Sequence, residues 1–326
     1  MALTARREEL AALHPDWVEL LAQVPEAAPF FHPTWQRVWL EEFAAGREAL
    51  VLTARDGDAL VGVAPLLRED GRISFIGHYS ICDYMDFVLA PGREREALSA
   101  LLEALLQEEW SELELRGLRH CSPALAELPA LAQAAGLTLE REEEAIAPCI
   151  ELPASWDEYV ASLGKKDRHE LRRKLRRVQA AGDLEVRTYT TPEDVEEHLP
   201  VLLRLMVESR ADKASFMSEQ MGRFFHRMAQ AMAQEGLLRL YELELDTRPV
   251  ASVLCFDQGG RFFLYNSGYE PDLGSLAVGI VSKALCLQDA LERGRRRFDF
   301  LRGHEGYKYD LGGQDQQVYR VVVRRG

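Results

Sequence analysis

Not one lysine occurs among the first 150 residues, where 12 arginines face 26 acidic side chains. Residues 151–326 hold 27 charges of each sign, so the net charge of −14 belongs to the first half. General binders of nucleic acid or anionic membrane are basic overall, so this balance directs any anionic partner to the second half. Long apolar runs are missing too. Nothing approaches the roughly 18 residues that cross a bilayer, and residues 1–20 mix acids and bases where a signal peptide needs an apolar core. A cytoplasmic chain, neither exported nor membrane-spanning, is expected. Cysteine is sparse: Cys82, Cys121, Cys149, Cys255 and Cys286 are odd in number, lie in apolar segments and lack CxxC spacing, which reads as reduced, buried thiols. His14, His32, His120, His198 and His226 lack metal-ligand spacing, so no metal site is expected. HExxH, Walker A and GxSxG elements are absent, which removes the commonest zinc-protease, P-loop and serine-hydrolase chemistries.

What is present is ordinary globular material, with 47% hydrophobic and 28% charged residues. At 326 residues the chain exceeds the usual single core, and two domains are expected, 1–150 and 151–326. Pro148 and Pro153 interrupt the periodicity at that boundary.

The two halves read alike. Residues 50–54, Asp56-Gly57-Asp58 and 60–67 form a strand, a tight turn and a strand; 72–76 is a third strand, followed by a polar and aromatic loop over 77–86, a short strand at 87–90, a helix near 93–107 and a strand at 112–116. In the second half the same order recurs in 237–245, 250–256, 261–267, a helix over 274–293 and a strand at 297–301. Leu113-Glu114-Leu115-Arg116-Gly117 resembles Asp299-Phe300-Leu301-Arg302-Gly303 at the matching place. The expected architecture is therefore α/β (α+β), two copies of a mostly antiparallel mixed sheet flanked by helices. Helices are also expected over 156–181, 192–212 and 218–235.

Four stretches carry candidate chemistry. Residues 165–177 place eight Lys or Arg against Asp167 and Glu170, with Arg168 and Arg172 on one face, a density that can hold phosphates or form a solvated helix face. The run Gly274-Ser275-Leu276-Ala277-Val278-Gly279 surrounds a helix start, where small residues admit an anion to unpaired N–H groups or serve close packing. Residues 298–313 alternate aromatics with charges and then enter a loop with four glycines, bringing Asp299, Arg302, His304, Glu305, Tyr307 and Lys308 together. In the first half Asp83, Tyr84 and Asp86 could hold a cationic amine or satisfy local backbone.

The segments Lys166-Asp167-Arg168-His169-Glu170-Leu171-Arg172-Arg173-Lys174 and Phe298-Asp299-Phe300-Leu301-Arg302-Gly303, with Tyr307-Lys308, resemble GNAT superfamily acyltransferases with a BioF2-like acetyltransferase domain, of the cellulose-biosynthesis-associated type. The chain is similar, more distantly, to the Fem peptidyltransferases, which carry two GNAT-like domains. The resemblance implies tandem GNAT-like domains, the first on the acceptor side or structural, the second binding the acyl donor. It implies transfer from acyl-CoA or acetyl-CoA, without a metal, to an amine in the cleft between the domains. The acceptor would be a small molecule or a peptidoglycan or polysaccharide precursor. By family position, Gly274 to Gly279 would cradle the CoA pyrophosphate and Lys308 would stabilise developing negative charge. Tyr307 or Tyr309 could protonate the leaving sulfur, and Glu305, His304 or Asp299 could take the amine proton. Asp83, Tyr84, Asp86, Arg168, Arg172, Arg302 and His304 would contact substrate. Relatives often carry a Ser-Pro-Gly type phosphate turn that this chain lacks, which leaves room for an aminoacyl-tRNA donor, the one case in which nucleic acid is expected. A noncatalytic polyanion-binding protein on the same scaffold is the alternative from another class.

Overall fold

Tight turns set the architecture. The structure, a computed structural model, describes residues 3–325. Positive φ at Asp70 and Gly71, at Asp246 and Thr247, and at Gly259 and Gly260 gives paired left-handed residues, the geometry that matches the twist of antiparallel hairpins. The chain divides into two compact units, Met1–Ile146 with Gln316–Gly326, and Ala147–Asp315.

The first unit runs β1 (Thr4–Arg7), α1 (Leu10–Gln23), α2 (Pro33–Phe43), β2 (Glu48–Asp56), β3 (Ala59–Glu69), β4 (Arg72–Phe75), β5 (Val88–Leu89), α3 (Glu94–Leu106), β6 (Glu112–Arg119), α4 (Pro123–Ala134) and β7 (Leu137–Ile146). Strands β2, β3 and β4 form an antiparallel meander, and β6 returns parallel to β4 after the α3 crossover. The parallel pairing covers only Arg72–Glu112, Ile73–Leu113 and Ser74–Glu114, after which the strands part. Trp17, Trp35, Trp39, Phe30 and Phe75 are fully buried in this unit, each removing about 1.5–3 kcal/mol worth of apolar surface from water.

The second unit contains β8 (Cys149–Glu151), α5 (Trp156–Ser162), α6 (Lys165–Gln179), β9 (Leu184–Tyr189), α7 (Pro192–Ser209), α8 (Ala211–Phe216), α9 (Glu219–Gln234), β10 (Leu238–Leu245), β11 (Arg248–Gln258), β12 (Arg261–Tyr269), a 3₁₀ turn (Pro271–Leu276), α10 (Val278–Glu292), β13 (Arg297–Asp299) and α11 (Gly306–Asp310). Its sheet order is β8-β13-β12-β11-β10-β9. Helices α7 and α9 bury Leu199, Leu202, Met206, Phe224 and Phe225, while a core of Tyr159, Leu171, Leu287, Phe262 and Phe298 joins α5, α6 and α10 to the sheet. The repeat read from the sequence is present: β2-β3-β4-β6 and β10-β11-β12-β13 share one order, each ending in a parallel pair. The fold is thus two copies of one mixed sheet flanked by helices.

Three features depart from expectation. The helix expected over 156–181 is two helices, because Leu163 turns extended (ψ 149°) and Gly164 caps α6. The helix expected over 192–212 ends at Ser209, where Arg210 is extended before α8. The boundary drawn at 151–326 misses the last strand, β14 (Gln317–Arg325), which inserts between β6 and β7 of the first sheet. Electrostatics favours that placement: Arg320 reaches Glu114 and Glu142, and Arg324 reaches Glu112 and Glu140, supplying cations that the first half lacks.

Candidate active site

The second unit's sheet opens where its parallel pair ends. Strands β12 and β13 pair only at Arg261–Arg297, Phe262–Phe298 and Phe263–Asp299. Beyond Phe263, β12 runs on to Tyr269 without β13 beside it, and β12 carries a bulge at Tyr265, between Leu264 (opposite Cys255) and Asn266 (opposite Leu254). A bulge twists a strand and re-aims its side chains. The result is a splay, with the rest of β12 on one side and residues 300–307 on the other.

The loop at the end of β13 is held by Lys308. Its buried Nζ donates to the carbonyls of Leu301 (2.9 Å), Arg302 (2.7 Å) and Gly303 (3.2 Å) and pairs with Glu305 (2.9 Å). Leu301 (φ 59°) and Gly303 (φ 114°) are left-handed, and these bonds fix that strained path. An ammonium has three N–H donors. All are engaged in holding the loop. Glu305 is opposed by burial, but the Lys308 ion pair outweighs this and holds its carboxyl below the ordinary range. That makes it a poor base. Asp299 accepts the Leu301 N–H (2.8 Å) and is buried, which ties it to the same turn. Tyr309 bonds Asp315 (2.8 Å), and His304 is exposed. Tyr307 packs edge-on to Phe300 at 6.1 Å.

Two residues missed from the sequence stand at this opening. Gly268 of β12 has no Cβ to keep the backbone of α7 away, since one would come within 2.3 Å of the Leu205 carbonyl carbon and Met206 nitrogen. That close approach brings the following α8 over β12, where Lys213 Nζ bonds Asn266 Oδ1 (3.0 Å) and the Ser267 carbonyl. From α10, Lys283 Nζ donates to the Gly279 carbonyl (2.7 Å) and lies 4.9 Å from the Tyr307 ring centre. Burial, then the charge of Lys213, pushes Lys283 down to about 7; burial and Arg210 push Lys213 down to about 8. The signal was available: the chain has only six lysines, and Lys283 is the one charged residue in the first ten residues of α10.

The other candidates lie elsewhere. In the expected phosphate turn, Gly274 and Ser275 are exposed in the 3₁₀ segment, Ala277 is left-handed (φ 58°), and Val278 is buried. Leu276 packs on the neighbouring core, and Gly279 is needed for packing, because a Cβ there would meet Tyr269 at 2.8 Å. Arg177 of α6 donates to the Ser275 carbonyl (2.6 Å), which places a cation beside the turn. Arg168 caps the Ala161 carbonyl (3.0 Å). With Arg172, Lys165, Arg176 and Trp156, it lines a separate groove of about 1150 Å³ between α6 and α10. In the first unit, Tyr84 and Asp86 are interior groups. Asp86 accepts the Phe87 N–H (2.8 Å) and the Ser122 hydroxyl, and burial raises its carboxyl to about 6. Both serve local packing, while Asp83 is half-buried.

Residues 165–309, from α6 through α11, match the family described as an acetyltransferase (GNAT) domain. The matched residues all lie within the second unit. No curated protein matches the chain in sequence. Among solved structures, FemX is 12% identical with a TM-score of 0.67, covering 97% of this chain and 96% of that one. The C-terminal domain of a candidate lysylphosphatidylglycerol synthetase from Agrobacterium fabrum is 10% identical (TM-score 0.63; 98% and 93% covered). A tandem GNAT protein from the clavulanic acid biosynthesis pathway is 15% identical (TM-score 0.51; 98% of each chain). At such identities the likeness is one of fold, and it spans both units.

Proposed function

We propose that this acyltransferase moves an acyl group from acyl-CoA to an amine, with the second unit binding the donor and the first serving the acceptor or the scaffold. The observation that carries this reading is the splay between β12 and β13. The backbone of β12 beyond Phe263 faces an opening rather than a strand, and the amide-bearing arm of CoA has the donors and acceptors to pair with it as a strand would. Arg177 and the exposed Ser275, in the 3₁₀ turn that leads into α10, would then meet the pyrophosphate near a helix N-terminus. The loop held by Lys308 forms the other wall. Acyl-CoA is a cytoplasmic metabolite, and the chain's five cysteines are free thiols, which suits a cytoplasmic protein. No helix among the described residues is long and apolar enough to cross a membrane. An amine on a peptidoglycan, polysaccharide or lipid precursor is the acceptor class we favour, in keeping with the company the fold keeps.

Thermal unfolding with CoA and a series of acyl-CoAs tests the donor. A ligand at a hundredfold excess over its Kd stabilises the native state by about 2.7 kcal/mol, a shift that Arg177→Ala should diminish. No shift with any acyl-CoA would sink the reading. The basic groove along α6 supports a second one, an aminoacyl-RNA donor. Binding of RNA that weakens steeply with salt, without any acyl-CoA response, would favour it.

A further inference from the structure

The six lysines of the chain fall into two sets. Lys165, Lys166 and Lys174 lie on α6, the first two exposed and the third half-buried. Lys213, Lys283 and Lys308 meet at the splay, and Glu305 acts electrostatically on all three. Only Lys308 has that carboxylate as a direct partner. Lys213 is bonded to an amide and a backbone carbonyl, and Lys283 to one carbonyl and an aromatic face. A buried ammonium without a counter-charge is costly, and the usual relief is loss of the proton. The groups facing Lys283 are Lys213 on α8, Cys255 on β11, Cys286 on its own helix, and Glu305 and Tyr307 from the loop and α11. None of them is a carboxylate within ion-pair distance.

We propose that Lys283, tuned by Lys213, is the proton acceptor of the transfer. The inference rests on the thioester reading above. The acceptor's ammonium gives one proton to Lys283 Nζ, and the freed lone pair forms the C–N bond at the thioester carbon. The C–S bond then breaks with its electrons on sulfur. Lys283 returns its proton to the thiolate, and the second proton leaves the new amide nitrogen for solvent. This assignment displaces the loop acids: Glu305 is committed to Lys308, and Asp299 Oδ1 to the Leu301 amide. Lys283 also begins close to neutrality, with burial and Lys213 holding it to about 7, where an efficient base should sit.

Six lysines make direct titration practical. In the full-length protein labelled with [13Cε]lysine, six signals are expected, and Lys283→Met and Lys213→Met identify two of them. The Lys283 signal should titrate well below the ordinary lysine value of about 10.4, and Lys213→Met should move it to higher pH by removing a neighbouring cation. With acetyl-CoA and a panel of amines, kcat/KM should fall on the acidic side with the same midpoint. Lys213→Met should shift that limb upward, and Lys283→Met should abolish it and lower the rate about a hundredfold or more at pH 8. A Lys283 signal that titrates at the ordinary lysine value overturns the proposal. So does an unchanged limb in an active Lys283→Met enzyme. If succinyl-CoA binds far more tightly than butyryl-CoA, through both lysines in their charged form, the pair is an anion pocket and the proposal is overturned. Failure of the wild type to transfer from any acyl-CoA would instead bring down the thioester reading, and the base role with it.

Discussion

Both units carry Leu-Arg-Gly just beyond the point where their parallel pairing stops, at Leu115-Arg116-Gly117 and Leu301-Arg302-Gly303, and they treat the opening there in opposite ways. In the first unit the chain fills the opening itself. The Met85 N–H bonds the Gly117 carbonyl (3.2 Å), and Asp83, Tyr84 and Met85 lie so close that a Cβ on Gly117 would meet the Met85 nitrogen at 3.0 Å. The Gly117 N–H is held by a carboxylate, Glu144 (2.9 Å), which also pairs with Arg116. In the second unit the Gly303 carbonyl is held by an ammonium, Lys308, and the opening is lined by Lys213 and Lys283. Duplication of one fold therefore leaves one copy plugged and one copy furnished. The charge of the staple differs along with the content of the gap.

The largest effect should come from removing the second staple. Lys308→Ala leaves three carbonyls and a carboxylate without their shared donor, a loss in the range of about 3–5 kcal/mol for a buried ion partner. Urea unfolding would measure it, and transfer should be lost at the same time. Unchanged stability would mean that the loop path does not depend on Lys308. Next is the plug: Gly117→Ala combines a positive φ (74°) with the Met85 contact and should cost about 1–3 kcal/mol. Stability of acyl-CoA binding in that variant would confine donor binding to the second unit; a weakened donor response would erase the contrast.

A smaller and pH-dependent effect is expected at Lys283. Its folded pKa, about 7, lies below the unfolded value, so the native state binds fewer protons between pH 7 and about 10.4. Stability contributed by this site thus rises with pH across that window, and the burial penalty is fully present below it. Lys283→Met should raise the midpoint of thermal unfolding at pH 6 by more than at pH 10. The reverse order would show that Lys283 is charged and compensated when buried. The smallest effect is reserved for Asp86. With a folded pKa raised to about 6, its charged form is disfavoured above that pH and its stabilising contribution is greatest below the unfolded value. Asp86→Asn should leave the KM for the acceptor unaltered and cost less stability at pH 7 than at pH 4. A raised KM would return the residue to substrate binding.

Much of the fold was legible because turn chemistry is local. Asp56-Gly57-Asp58 and Gln258-Gly259-Gly260 mark hairpins by residues that tolerate positive φ, and the strands on either side follow. The last strand was not legible, since its pairing with β6 and β7 joins residues up to 212 apart, as between Glu112 and Arg324. No short window of sequence carries that information. The site divides in the same way. The loop from Asp299 to Lys308 stands out by composition, and its chemistry-bearing residues are close in sequence. Lys213 and Lys283 come from different helices, and only the glycine contact between β12 and α7 brings Lys213 over the strand. Arg168 and Arg172 share a face with the basic helix, as the spacing implies, but that face opens on a groove of its own.

The return of β14 to the first sheet also fixes an order of events during synthesis. The whole second unit leaves the ribosome after β7 and before β14, so its sheet and helices are available to form while the first sheet still lacks the strand between β6 and β7. Until then β6 and β7 each present an unpaired edge, and the acidic row Glu112, Glu114, Glu140 and Glu142 stands without its arginines. Like charges along two open edges repel one another and discourage premature pairing with other chains. The acidic excess of the first half, which looks like a surface property in the sequence, thus doubles as a guard on the nascent sheet.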